Sequence, residues 1–508
     1  MMQLAGPNIL VILTIFIGIV NLITPFISKE DSPIRSFFLI TTSISFLCNV
    51  LILDYLFLHG IEPSFTIVDF GQYSIALRLE SLGMIFLNLL AVLWTCSLLY
   101  TIKFLAINEI KNSNRFLFFL NCCIMTGSFI ALSANLFTMF IFYEMLTLFT
   151  IPLIVHSSSK RSIQGLFKYL KILMISALVL LLPAIIIIYA NIGSGNFTQG
   201  GFIAGHFNDS HAIILLLMMI FGTAKSALFP LHGWLPSAMV ASYPVSALLH
   251  AVVVVKTGLF CTYKIIAYVF GIAYLQTLFA SYNWLVLFPI VTIIYSSFQV
   301  LRFNEIKMIL AYSTINQLSI SLLSAFLLSP KGFVAAVMHM ISHSFSKICM
   351  FYAAGNIYSI KNSYNLSELV GIKNTMPKTS FVMLIAGLSL IGIPPFAGFI
   401  SKFYILLAAA EQDNFLVIIT LLISSLFTAV YVVKILIFIY RPASENFILH
   451  LKLKPYFAES QDKKVTSSNY EAEKKLPIFM IISIILCLSG VVGFFFIQQV
   501  IVKFLGFI

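Results

Sequence analysis

The 508 residues are 60% hydrophobic and only 9% charged, and the mean hydropathy is +1.02. A soluble domain carries roughly 25% charged residues, so this composition excludes an ordinary water-soluble fold and describes a polytopic membrane protein. The net charge of +12 does not describe a nucleic-acid partner, because Lys and Arg gather in alternate loops, as the positive-inside rule requires.

About 20 apolar residues cross the hydrocarbon core as a helix. In chain order the spans are Asn8–Ile27, Phe37–Leu58, Leu82–Ile102, Phe116–Ala134, Leu136–Val155, Lys168–Asn191 and His211–Phe229. Val245–Ala267, Trp284–Leu301, Ile306–Leu328, Phe333–Ile357, Ser380–Glu411, Phe415–Tyr440 and Leu476–Val502 follow, so the expected fold is all-α with about 14 crossings. Residues 1–8 lack a basic leader and run straight into a full-length span, which reads as an uncleaved first helix. With the N-terminus outside, the inner loops collect Lys29, Arg35, Lys103 to Arg115, Lys160, Arg161, Arg302, Lys307, Lys361, Lys373 and Lys378. Arg78, Lys331 and Lys503 alone fall outside, so both termini are expected there. The polar segment Arg441 to Lys475 reads as a solvated cytoplasmic connector.

The seven cysteines all lie in apolar spans, with no CxxC pair and no metal-ligand spacing; they read as packing residues, and no metal or cofactor is expected.

The chemistry lies in buried charge. Lys225 falls inside an apolar span that is interrupted at Pro230, Gly233 and Pro236. An ionisable group at that depth costs ~2.5–3.5 kcal/mol even on insertion scales and is a functional candidate by default. Irregular backbone beside it is tolerated only where it packs in protein or lines a wet cavity. Glu144, in FIFYEMLTLF, has no basic neighbour in sequence, and Lys225 is its natural partner. The alternative is a headgroup-facing glutamate, which the apolar residues on both sides oppose. Lys256 follows four valines, too deep to snorkel, and His250 lies six residues earlier, either a proton carrier or a packed core histidine. His339, His343 and Lys347 recur at intervals of four, which sets them along one helical stripe. That stripe suits a proton relay better than a metal, because no carboxylate or third ligand is near. Lys402 follows a second interruption at Pro394 and Pro395, either a path residue or an interfacial lysine. Two interrupted spans in corresponding halves point to a repeat-built transporter with sites at the midplane. Asp54, Glu80 and Arg78 read as interface groups, Lys307 as a snorkelling lysine and Trp234 as an anchor.

With these residues in view, the chain resembles the antiporter-like membrane subunits shared by respiratory complex I and the Mrp-type cation/proton antiporters. The resemblance runs from about Leu82 to Tyr440 and rests on FGTAKSALFPLHGWLPSAM, SALLHAVVVVKTG, EIKMILAYSTINQLS, HMISHSFSKICMFYAAGN, GIPPFAGFISKFYIL and the span of Glu144. It implies two inverted five-helix repeats, in 116–270 and 284–440, between N-terminal helices 1–115, a connector 441–475 and a last helix 476–508. It implies that Glu144 and Lys225 form the ion pair of a first half-channel, that Lys256 and His250 link the halves, and that His339, His343, Lys347 and Lys402 form the second. A cofactor-free proton path in a bacterial plasma membrane follows, with other membrane subunits as partners and protons exchanged for Na+ or K+. Lys402 where one complex I branch has glutamate, the presence of both His250 and Lys256, and a chain ending at Ile508 make the medium-length Mrp subunit the nearest likeness, while Glu80 departs from the family's common aspartate and keeps the carboxylate on a longer reach. A proton-pumping subunit of an NADH:quinone oxidoreductase or hydrogenase-type complex is the first alternative, and a non-transporting scaffold is the second.

Overall fold

A computed structural model describes residues 5–30, 32–441 and 472–505. The chain begins with α1 (Ala5–Ile23) and α2 (Pro33–Leu58), then a two-stranded hairpin, β1 (Ser64–Phe70) and β2 (Tyr73–Arg78). It continues with α3 (Ser81–Ile107), α4 (Ser113–Ala131), α5 (Leu136–Ile154), α6 (Lys160–Ile192), α7 (Asp209–Gly222) and α8 (Tyr243–Phe270). The remainder is α9 (Trp284–Arg302), α10 (Ile306–Ala325), α11 (Pro330–Lys361), α12 (Pro377–Ile391), α13 (Ala397–Ala410), α14 (Phe415–Tyr440) and α15 (Ile478–Leu505). Among the described residues, 12 helices are long and apolar enough to cross a membrane. Two further crossings are built from shorter pieces, one by α7 and the turns that follow it, the other by α12 and α13. The protein is therefore a multi-pass helical membrane bundle, with the fourteen crossings the sequence predicts.

Local chemistry sets the boundaries. Asn135 caps α5 by accepting the Thr138 amide at 2.8 Å, and Ser329 caps α11 by accepting the Gly332 amide at 3.0 Å, with Pro330 at the first helical position. Gly193 closes α6 with φ near 79°, a left-handed turn that suits glycine.

Crossings four to eight and nine to thirteen form two runs of five, and the broken crossing is fourth in each. An odd number of crossings turns the second run upside down relative to the first, which gives the inverted arrangement. The first break begins earlier than expected. α7 ends at Gly222, and Lys225 lies in a 3-10 turn, Ala224–Ser226, ahead of Pro230 rather than in the middle of a helix. Ala227 then takes a left-handed φ of 60°. The second break follows Ile391, where Gly392 has φ 94° before Pro394 and Pro395.

The hairpin departs from the all-α expectation. Its strands alternate aromatic and β-branched residues with polar ones around Gly71 and Gln72, a hairpin pattern obscured by its position in a connecting loop. It stitches loops together on one face of the bundle: the Arg78 amide donates to Leu132 O at 2.7 Å, the Ala134 amide to Ala76 O at 3.0 Å, and the Phe197 amide to Ala134 O at 3.0 Å. Most of the polar connector, 442–471, lies outside the described residues. Its far end is not solvated throughout, because Glu473 is buried and accepts the Thr379 amide at 2.8 Å and the Lys378 amide at 3.1 Å, capping α12.

Candidate ion path

Lys225, His250, Lys256, His339, His343, Lys347 and Lys402 are all buried, and both carboxylate oxygens of Glu144 are enclosed in protein. The bundle therefore encloses the eight side chains singled out in the sequence, carried by α5, the first break, α8, α11 and α13.

The ammonium groups of Lys225, Lys347 and Lys402 are held by neutral oxygens. Lys225 Nζ donates to Tyr143 O at 2.7 Å and Thr147 Oγ1 at 2.8 Å, and sits 3.1 Å from the centre of the Tyr143 ring. Its own amide donates to Tyr143 Oη at 3.1 Å. Glu144 lies near enough to feel the Lys225 charge, but the two are not in contact, and its carboxylate oxygens have no hydrogen-bond partner among the described residues. The direct pairing predicted from sequence is thus replaced by an approach through the adjoining Tyr143. Lys347 Nζ donates to Ser313 Oγ at 2.7 Å and Leu310 O at 3.1 Å. Lys402 Nζ donates to the carbonyls of Leu390 and Ile391, both at 2.9 Å, and to Ser425 Oγ at 3.1 Å. These carbonyls are the ones that the end of α12 leaves without helical partners, so the break itself supplies the lysine's ligands. Lys402 is a buried group, not an interfacial one.

Among the contacts between the two runs of helices, one joins two titratable side chains, Lys256 Nζ to His343 Nδ1 at 2.5 Å. The His339 and His343 rings lie 6.4 Å apart and nearly parallel, one turn apart on α11, and His339 Nδ1 reaches Ser401 Oγ at 2.9 Å, beside Lys402. His250 stands apart: neither ring nitrogen has a partner among the described residues, and Lys347, Lys256 and Lys307 all act on it electrostatically. It lies in a π-helical turn, Leu248–Val252, immediately before Lys256. Such turns arise where a helix takes an extra residue and are frequent at functional sites.

Several residues differ from expectation. Lys307 does not snorkel; it is buried, donates to Ala241 O at 2.6 Å and lies 4.5 Å from the Tyr243 ring centre. Trp234 is no membrane anchor; it is enclosed, and its indole donates to Ala224 O at 2.9 Å, tying down the turn that carries Lys225. Glu80 is no interface group; it is buried, with Arg78 Nη2 at 2.6 Å and Lys264 Nζ at 2.9 Å. Lys264 joins these buried groups without being singled out by the sequence pattern. Its position eight residues after Lys256 on the same helix was the available signal, but nearness to the end of the span hid it. On the face opposite the hairpin, a cavity of about 420 Å³ is lined by Asn108, Glu109, Lys111, His156 and Ser242, backing onto the Ala241 carbonyl that holds Lys307. Burial holds the His156 imidazole at that mouth below its ordinary range.

A multi-pass membrane bundle with two broken crossings and a set of enclosed lysines and histidines is the class of fold these residues build. Residues 133–428 match the family described as NADH:quinone oxidoreductase/Mrp antiporter, TM, and the chain belongs to that family. It is 30% identical over 409 residues to "Putative antiporter subunit mnhA2" of Staphylococcus haemolyticus, covering 75% of this chain and 50% of that protein, so it spans about half the length of that relative. It is also 30% identical over 370 residues to "NADH-quinone oxidoreductase subunit N" of Desulforudis audaxviator, covering 71% of this chain and 70% of that protein. In fold it is similar to a chain of the Mrp complex from Dietzia sp. DQ12-45-1b, with a TM-score of 0.80 at 18% identity over 100% of this chain and 97% of that one. A chain of the membrane-bound sulfane sulfur reductase, an archaeal respiratory membrane complex, superposes with a TM-score of 0.73 at 20% identity over 99% of each.

Proposed function

We propose that this chain is the proton-translocating membrane subunit of a multisubunit antiporter that exchanges protons for Na+ or K+ across a bacterial plasma membrane, with both termini outside. Residues 116–270 and 284–440 act as its two half-channels. Glu144 and Lys225 form the switch of the first, Lys256 and His250 link the two, and His339, His343, Lys347 and Lys402 form the second. The observation that carries this reading is the contact of Lys256 with His343 at 2.5 Å, since it joins the two runs of helices through groups that exchange protons. Both ring nitrogens of His250 and Nε2 of His343, which have no partner among the described residues, add support, because buried polar atoms of this kind are ordinarily satisfied by ordered water, the medium a proton path needs. No resident cofactor is required.

Proton flux in inside-out vesicles tests it. Lys225→Ala and Glu144→Ala should abolish cation-driven proton movement while the protein still assembles in the membrane. Normal transport by both variants would overturn the proposal. The similarity to an NADH-quinone oxidoreductase subunit over 70% of its length favours a second reading, a redox-driven pump built on the same path. Purification from native membranes separates the two readings: co-purifying flavin and iron–sulfur subunits mean the pump, and small hydrophobic subunits alone mean the antiporter.

A further inference from the structure

One face of α6 plays no part in the ion path. The helix has 33 residues. At ~1.5 Å per residue it is ~50 Å long, against a hydrocarbon core of ~30 Å, so roughly a dozen residues project beyond the core. The polar end is the first one: Lys160, Arg161, Lys168 and Lys171 all lie within the first dozen residues, all are exposed, and Lys160–Ile192 contains no acid. None of the four has an ion-pair partner among the described residues. At 3.6 residues per turn the four side chains fall within about 100° of arc. The same face continues toward the membrane interior as Ile175, Leu178 and Val179, which are 51%, 46% and 59% exposed.

The opposite face of α6 is buried against the first break. The Tyr169 ring meets the Trp234 ring edge-on at 5.5 Å, and a Cβ added at Gly165 would stand 2.5 Å from Ser237 O. Lys168 lies at the boundary between the two faces. Its Cε would be 3.4 Å from a Cβ at Gly233, inside the break, and its charge acts on His232.

We propose that this stripe is a binding site for an anionic phospholipid, with the phosphodiester headgroup on Lys160, Arg161, Lys168 and Lys171 and an acyl chain along Ile175, Leu178 and Val179. The order of charge and then hydrocarbon along one face matches the order within the lipid, and a soluble anion would have no use for the apolar half. Through Lys168, the occupied site would brace the break that carries Lys225.

The test is native mass spectrometry of the full-length protein, with any companion subunits, after exchange into detergent containing phosphatidylcholine and phosphatidylglycerol. Each Lys or Arg at an anionic surface strengthens binding about fivefold, so Lys168→Gln with Lys171→Gln should cut retained phosphatidylglycerol by at least about twentyfold. The change should leave phosphatidylcholine unaffected, and millimolar inorganic phosphate should not displace the lipid. Leu178→Glu, placed on the apolar half, should lower retention as well if the variant remains monodisperse. Unchanged retention in the lysine variant, equal binding of phosphatidylcholine, displacement by phosphate, or loss of a companion subunit in place of lipid would each overturn the site.

Discussion

Lysine ammonium groups in hydrocarbon must be hydrogen-bonded to be tolerated at all. Here the acceptors are main-chain carbonyls and hydroxyls: Tyr143 O and Thr147 at Lys225, Leu310 O and Ser313 at Lys347, and Leu390 O and Ile391 O at Lys402. None of these acceptors neutralises charge, so each lysine is held in place without being locked into its charged form. Lys256 differs, because its partner, His343, is itself titratable. An N–H···N bond needs a lone pair on one side, so the pair accommodates its protons jointly and its members should act as a unit. Lys256→Met and His343→Leu are each expected to lower proton flux at least about tenfold, with the double variant no slower than the worse single one. Flux measured across the four-member cycle checks this, and additive losses would show that the two groups work separately.

At the scale of the element, the breaks depend on glycine as much as on proline. A Cβ on Gly258 would stand 2.2 Å from the Ser226 amide nitrogen and 2.3 Å from Lys225 C, both backbone atoms that cannot step aside. Gly258→Ala should therefore displace the turn carrying Lys225 and depress both thermal stability and flux. Gly493→Ala, in α15 with nothing within 4 Å, should change neither, as a melting curve in detergent would show. This dependence marks what sequence could and could not reveal. Lys225, Lys256 and Lys402 were legible because a charge in an apolar run is costly, and the helical period placed His339, His343 and Lys347 on one stripe. The proline clusters announced both breaks. Period and propensity do not report which residues of different helices meet, so the seating of Lys225 on Tyr143 rather than on Glu144 could not be anticipated. Trp234 looked like an anchor because its interface preference is a property of the residue type, whereas its burial depends on α6 lying over it. Lys307 was misplaced because distance from the end of a span measures depth in lipid, not burial in protein.

Across the whole molecule, Glu80 joins parts that are far apart in sequence: Arg78 of the hairpin and Lys264 at the end of α8, whose ammonium also donates to Ser133 O at 2.6 Å. Removing one member of a buried ion pair strands the other charge and typically costs 3–5 kcal/mol, whereas replacing both with apolar groups of similar size is often neutral. Glu80→Leu should thus lower the melting temperature clearly by stranding the enclosed Lys264, and adding Lys264→Met should recover most of the loss, because Arg78 is 34% exposed and keeps the Phe197 carbonyl as an acceptor. A double variant no better than the single would show that Lys264 serves another purpose. The hairpin, the loop after α4, the loop after α6 and the end of α8 are sewn to one another, down to the Phe202 amide on Val269 O at 2.9 Å. The opposite face has the open cavity backed by Ala241. The hairpin rim is thus a seam, stitched main chain to main chain, whereas the rim at Ala241 is buttoned by single side chains, Lys307 on the Ala241 carbonyl and Asn108 on Ser359 among them.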